Sequence, residues 1–294
     1  MDQNKDLYPS RTQSKTPMLP RLDPVVYADA QARGNGPLTG EQLDAFERDG
    51  FLFFPGFFST NEISACIEEL QRLSADPAVR ASNSTILEPG SNEVRSIFAI
   101  HEISPHFRRL AHDPRIRDRA RQLLGSDVYI HQSRINYKPG FKGKGFNWHS
   151  DFETWHAEDG MPRMRAVSCS IVLTDNNEFN GPLMLIPGSH KYFIPCVGET
   201  PDDNYQTSLK DQQIGVPDEE SIASLAAAGG IKAPKGPAGS MLLFDCNTLH
   251  GSNANMSPYP RSNVFYVFNS VENRLQHPFA AKRPRPAFLA TREK

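Results

Sequence analysis

Residues 145–165 read GFNWHSDFETWHAEDGMPRMR and hold both tryptophans of the chain beside two histidines and several carboxylates. Such a run would waste its aromatics in a solvated loop and is too charged for a plain core strand. His149 and Asp151 form an H-x-D pair. On a strand, alternate side chains point the same way, so the two can share one cation. The pair alone is a weak signal, because a surface His and Asp at this spacing is common. A second imidazole is needed, and His250 in FDCNTLHGSNAN supplies the candidate, after a strand-like run and before a Gly-Ser-Asn turn. Two histidines and one carboxylate make the facial triad of non-haem Fe(II) oxygenases, which leaves coordination positions for a bidentate co-substrate and for O2.

A 2-keto dicarboxylate that chelates iron through its keto-acid end needs a cation for its distal carboxylate. Arg261, at the head of RSNVFYVFNSV, fits, since the planar guanidinium fork pairs both oxygens. Taken alone, an arginine on a strand is ordinary; joined to His149, Asp151 and His250 it becomes a candidate clamp. Arg261, Asn263 and Phe265 share one face of that strand. The other histidines have simpler roles. His190 in IPGSHK is expected to order a turn, and His156 to orient a neighbour from a loop. His101, His106, His112, His131 and His277 lack ligand-like spacing.

The elements that must place these residues fall into two textures. Residues 1–38 are polar and proline-bearing and are expected to form a flexible N-terminal arm, with a single domain over 39–294. LTGEQLDAFERDG predicts a helix capped by Thr39 and ended by Asp49-Gly50, and STNEISACIEELQRLSAD a second helix capped by Ser59. A third helical region, broken at Pro114, covers 104–124. From Asp127 onward short strands dominate: VYIHQSRINYK, AVSCSIVLT, GPLMLIPGSH, GSMLLFD and SNVFYVFNSV, punctuated by Gly, Pro and Asn. Helices followed by many short strands predict a mainly β fold, a sandwich or barrel with N-terminal and surface helices. In the first strand Gln132, Arg134, Asn136 and Lys138 project to one face, either a solvated sheet surface or the wall of a polar cavity. The long polar segment 190–236, with one helix near 218–228, is expected to act as a lid-like loop.

Composition narrows the partners. A net charge of −2 without long basic runs argues against nucleic acid, and no apolar run is long enough for a transmembrane helix. Cys66, Cys169, Cys196 and Cys246 form no CxxC pair, which predicts buried reduced thiols in a cytoplasmic protein.

WHSD, GPLMLIPGSHK, LHGSNAN and the downstream arginine together resemble the phytanoyl-CoA dioxygenase superfamily of iron(II)- and 2-oxoglutarate-dependent oxygenases, over roughly residues 145–265. FNWHSDFETWHAEDGMPRMRAVS is, more narrowly, similar to the signature segment of bacterial ectoine hydroxylases. This resemblance implies a double-stranded β-helix (jelly-roll, cupin-like) core, a homodimer, and conversion of the osmoprotectant ectoine to 5-hydroxyectoine in the stress response. It implies His149, Asp151 and His250 as iron ligands, and Arg261, with Phe98, Asn136 and Lys138, around 2-oxoglutarate. Gln132, Phe146, Trp155, Ser168, Phe244 and Phe265 are the implied ectoine contacts. Ectoine carries a delocalised ring cation and a carboxylate, so aromatic walls suit it. A relative acting on an acyl-CoA would need a basic groove absent near the motif, and a halogenating one would need Asp151 replaced. A non-catalytic solute binder would have no use for the Arg261 clamp.

Overall fold

The computed structural model describes residues 6–88 and 92–292. Its first elements are β1 (Leu19–Pro20), α1 (Ala30–Asn35), α2 (Gly40–Asp49), β2 (Phe51–Phe54), α3 (Thr60–Ala75) and α4 (Pro77–Ala81). Thr39 and Ser59 each begin a reciprocal capping box, with Gln42 and Glu62 reaching back to the cap amides, so the predicted starts of α2 and α3 hold. There follow β3 (Thr85–Leu87), β4 (Val94–Phe98), α5 (Ile100–Ile103), α6 (Pro105–Ala111) and α7 (Pro114–Leu124), with Pro114 opening a helix and not merely breaking one. The strand-rich part is β5 (Val128–Lys138), β6 (Phe146–His149), α8 (Asp151–Thr154), a π-helical turn (Trp155–Asp159), β7 (Ala166–Val172), β8 (Leu183–Leu185) and β9 (Tyr192–Phe193). The chain ends through α9 (Tyr205–Ser208), α10 (Glu219–Gly229), β10 (Met241–Asp245), β11 (His250–Ser252) and β12 (Arg261–Ser270).

A seven-stranded antiparallel sheet in the order β2-β10-β7-β12-β5-β4-β3 faces a three-stranded sheet, β6-β11-β8, forming the double-stranded β-helix. The large sheet uses its period-2 alternation on two buried faces. Val167, Cys169 and Ile171 of β7 and Val264, Tyr266 and Phe268 of β12 pack under α2, α3, α6 and α7, against Phe46, Leu70, Phe107 and Leu123. The alternate residues, including Gln132, Arg134, Asn136 and Phe265, look inward to a cavity between the sheets. The polar ladder on β5 is therefore a cavity wall.

Two expectations are corrected. Residues 6–38 are no flexible arm: the Tyr8 ring is fully buried against Phe152 and Phe193, its hydroxyl donates to Asp23 (2.8 Å), and β1 pairs with β9. Isolated anchors of this kind leave no periodic signature. The 190–236 segment is a loop only in part, since β9, α9 and α10 interrupt it.

Gly50 ends α2 at φ +82°, and a Cβ there would meet His190 Nδ1 at 2.4 Å and Thr248 Oγ1 at 2.7 Å. His190, buried and donating from Nε2 to the Glu47 carbonyl, so fixes this turn. Gly50→Ala should destabilise the fold by about 1–3 kcal/mol. Chemical denaturation tests this, and an unchanged midpoint would show that the turn yields without strain.

Candidate metal centre and active site

His149 closes β6, Asp151 opens α8, and His250 opens β11 directly opposite His149 in the register of the small sheet. The expectation that the H-x-D pair shares one strand is thus corrected: the chain turns from strand to helix at Ser150, and the turn swings the carboxylate toward the imidazoles. His149 Nε2 lies 3.8 Å from Asp151 Oδ1, and His250 Nε2 lies 3.8 Å from Asp151 Oδ2. All three candidate ligand atoms fall within 4.8 Å of one another.

The local hydrogen bonds set the chemistry of these groups. A carbonyl oxygen only accepts, so His149 Nδ1–H donates to Asn147 O (2.7 Å) and His250 Nδ1–H to Thr248 O (2.9 Å). With Nδ1 so engaged, it is Nε2 of each ring that faces the partners and is the atom that would meet a metal. Burial, followed by the neighbouring His250, pushes His149 down to about 4. Burial alone would raise Asp151, but His250, Arg134 and His149 outweigh it and hold the carboxyl below its ordinary value. At neutral pH the cluster therefore includes a neutral His149 and an ionised Asp151, a donor set that fits a divalent cation.

At one end of the same cavity lies Arg261, buried at 3% exposure, with no hydrogen-bond partner for Nε or Nη1 among the described residues. Burial pulls its pKa down to about 10, which leaves it cationic at neutral pH. A buried, unanswered guanidinium is costly, and the donor set it offers fits a carboxylate. Asn136 lines the cavity nearby, its Oδ1 accepting from Ser96 Oγ (2.9 Å), and Phe98 lines it further along, in the row of Arg134 and Phe265. Lys138 pairs with Arg261 across the β5–β12 ladder. It does not line the cavity: its ammonium donates to Ser252 Oγ (2.9 Å) and Asn253 O (2.5 Å). Burial, then the charges of Arg261 and Arg95, depresses Lys138 to about 6.

The opposite end is lined by Trp155 and Phe265, whereas the Phe146 ring lies on the Arg261 side, 5.7 Å from the Lys138 Nζ. Trp155 belongs to the π-helical turn, as does His156, which was expected on a loop; His156 is fixed between Met161 O (2.8 Å) and Asp6 Oδ1 (2.9 Å) and touches no candidate ligand. Two expected contacts stand one layer back, and a third lines the cavity with its amide already engaged. Ser168 Oγ donates to Asp151 Oδ2 (3.4 Å), and the Phe244 ring packs on the His250 ring at 5.0 Å; neither lines the cavity. Gln132 does line it, but its amide is engaged, donating to Leu289 O (2.7 Å) and accepting from Arg134.

Arg134, Glu158 and Arg285 also line this end and were not among the expected contacts. The Arg134 guanidinium stacks 4.8 Å over Phe265, and Arg285 makes a bidentate pair with Asp159 (2.8 and 2.6 Å). Arg134 stood in the polar ladder of β5, a signal that marks a cavity wall but no partner. Glu158 and Arg285 carried no usable signal, lying within a π-turn and in an irregular proline-rich tail. Leu209, Gln212 and Ile214, from the 190–236 segment, cover the cavity from above.

With this geometry in place, comparison with known proteins adds a line of evidence. The phytanoyl-CoA dioxygenase family model matches residues 46–263. Ectoine dioxygenase of Bordetella bronchiseptica is 56% identical over 289 residues, 98% of this chain and 93% of that protein. Ectoine dioxygenase of Halomonas elongata is 57% identical over 288 residues, 97% of this chain and 86% of that protein. Among solved structures, EctD from S. alaskensis with 2-oxoglutarate and 5-hydroxyectoine superposes with a TM-score of 0.88 at 51% identity, covering 98% of this chain and 95% of that one.

Proposed function

As the chain belongs to the phytanoyl-CoA dioxygenase family, we propose that it hydroxylates ectoine to 5-hydroxyectoine in an iron(II)- and 2-oxoglutarate-dependent reaction that consumes O2 and releases succinate and CO2. The observation that carries this reading is the convergence of His149, Asp151 and His250 in the same cavity as the unanswered Arg261. Bound there, iron(II) with 2-oxoglutarate and dioxygen supplies the oxidative decarboxylation and the C–H hydroxylation.

The residues of the chain bind, orient and exclude water. His149, Asp151 and His250 hold the metal, and Ser168 steadies the Asp151 carboxylate. Arg261 pairs with the distal carboxylate of 2-oxoglutarate, with Phe98 and Asn136 alongside, while Lys138 stands behind it, bridging Ser252 and Asn253. Ectoine sits between Trp155 and Phe265, with Phe146 facing it from the Arg261 side, and aromatic faces attract its ring cation by about 0.5–2 kcal/mol each. Arg134 answers its carboxylate, held in place by Gln132, while Glu158 supplies the negative charge on the cationic side. Together these groups fix which ring C–H bond faces the metal, which is where an enzyme of this kind gains rate. The 190–236 segment closes over the bound substrate as a lid.

Substrate-dependent succinate release tests this reading. Ectoine should raise it well above proline or other cyclic amino acids; an equal response to all would remove ectoine as substrate. Trp155→Ala should raise the KM for ectoine by about tenfold, as loss of a cation–π wall worth up to ~2 kcal/mol implies. The KM for 2-oxoglutarate should stay within about twofold, because Trp155 lies at the far end of the cavity from Arg261. Equal losses for both would assign Trp155 to general packing. The protein is further proposed to work as a cytoplasmic homodimer, which light scattering of the purified chain would check. No helix among the described residues is long and apolar enough to cross a membrane.

A further inference from the structure

Arg11 does not line the cavity, yet it is held more firmly than a terminal segment requires. Its backbone occupies the left-handed region (φ 59°), a conformation a non-glycine residue adopts at a cost. Its side chain is 1% exposed and pairs with Glu153 in two places, Nε to Oε1 at 2.6 Å and Nη2 to Oε2 at 2.9 Å. The same Nη2 reaches Glu158 Oε1 at 3.2 Å, and Nη1 reaches Thr200 Oγ1 at 3.4 Å. Burial alone would weaken the cation, but Glu153 and then Glu158 reverse this and raise its pKa.

Those partners belong to two different walls of the cavity. Glu153 and Glu158 flank Trp155 on the helix that begins at Asp151, and Glu158 itself lines the cavity. Thr200 belongs to the covering segment. Gly215, next to the cavity-lining Ile214, sits so close that a Cβ would meet Arg11 Nη2 and Glu153 Oε2, each at 2.6 Å. The neighbours of Arg11 reinforce the junction: Ser10 Oγ donates to Glu153 Oε1 (2.6 Å) and accepts from Cys196 N (3.0 Å), and Thr12 N donates to Cys196 O (3.1 Å).

We infer that residues 6–12 form a strap whose Arg11 is a positioning residue for the substrate: it joins the Trp155 wall to the covering segment and so sets the shape of the ectoine end of the cavity. This inference rests on the proposed reaction. Arg11 touches neither metal ligand nor Arg261, so it acts on one end of the cavity and leaves the other alone. A general structural brace would affect both ends together.

Arg11→Lys keeps the charge and loses the fork. The wild-type enzyme is assayed first, and ectoine-dependent succinate release there tests the reaction itself, independently of the strap. Relative to it, the variant should raise the KM for ectoine about tenfold with kcat within about twofold, as expected for lost positioning at one end of a site. The KM for 2-oxoglutarate should not move. An unchanged KM for ectoine, whatever happens to Tm, or a parallel rise in both KM values would overturn the assignment. Amide hydrogen exchange of the wild-type holoenzyme gives a second measurement should the variant fail to fold. Adding ectoine should protect amides 10–12 together with 152–159 and 212–215. Protection of the latter two with no change at 10–12 would also overturn it.

Discussion

Asp151→Ala should abolish ectoine-dependent succinate release, a loss of at least about 10^3-fold, while far-UV circular dichroism stays that of the parent. Asp151 is the only carboxylate in the three-residue cluster, and its oxygens face both Nε2 atoms at 3.8 Å. Without it, two neutral imidazoles face a divalent cation with no anionic charge to offset it, and iron content per protein should fall in step with activity. The fold should survive, because the carboxylate contributes little to the packing of α8; Phe152 and Trp155 bury that segment against Tyr8 and Phe193. Full retention of iron and turnover in the variant would refute the ligand assignment.

Arg261→Ala should raise the KM for 2-oxoglutarate by about 10^2-fold or more, since losing one partner of a buried charge pair costs about 2–5 kcal/mol. A companion effect carries opposite sign. Arg261 is buried with Nε and Nη1 unanswered and no ion pair among the described residues, so its removal deletes an unfavourable buried charge. Tm of the ligand-free variant should therefore match or exceed that of the parent, while the stabilisation that 2-oxoglutarate gives the parent disappears. Thermal unfolding with and without 2-oxoglutarate separates the two. A variant that loses stability alone yet still gains it from 2-oxoglutarate would show that Arg261 is a structural arginine.

Much of this site was legible before any coordinates because its residues obey short-range rules. Caps at Thr39 and Ser59 placed the starts of α2 and α3. Alternation along VYIHQSRINYK reproduced β5, and its polar face became the cavity wall. The spacing of His149, Asp151 and His250 suggested one cation, though not that the pair straddles a strand-to-helix turn. What escaped was long-range and aperiodic. Ser168 and Phe244 sit on the inner side of their strands as expected, but whether an inward side chain reaches the cavity or stops behind a ligand depends on sheet curvature. Arg285 arrives from the C-terminal tail and Arg11 from the N-terminal one, and each finds its carboxylate across more than a hundred residues of chain. Neither segment has a period to betray it.

The two imidazoles share one further trait: each gives its Nδ1 hydrogen to the peptide oxygen two positions earlier, at Asn147 and at Thr248. Mutation replaces side chains but cannot delete a backbone oxygen, so genetic drift has no direct route to disturb that proton. Designers could recast the aromatic and arginine surfaces for other small zwitterions, and the ligand tautomers would come through unaltered.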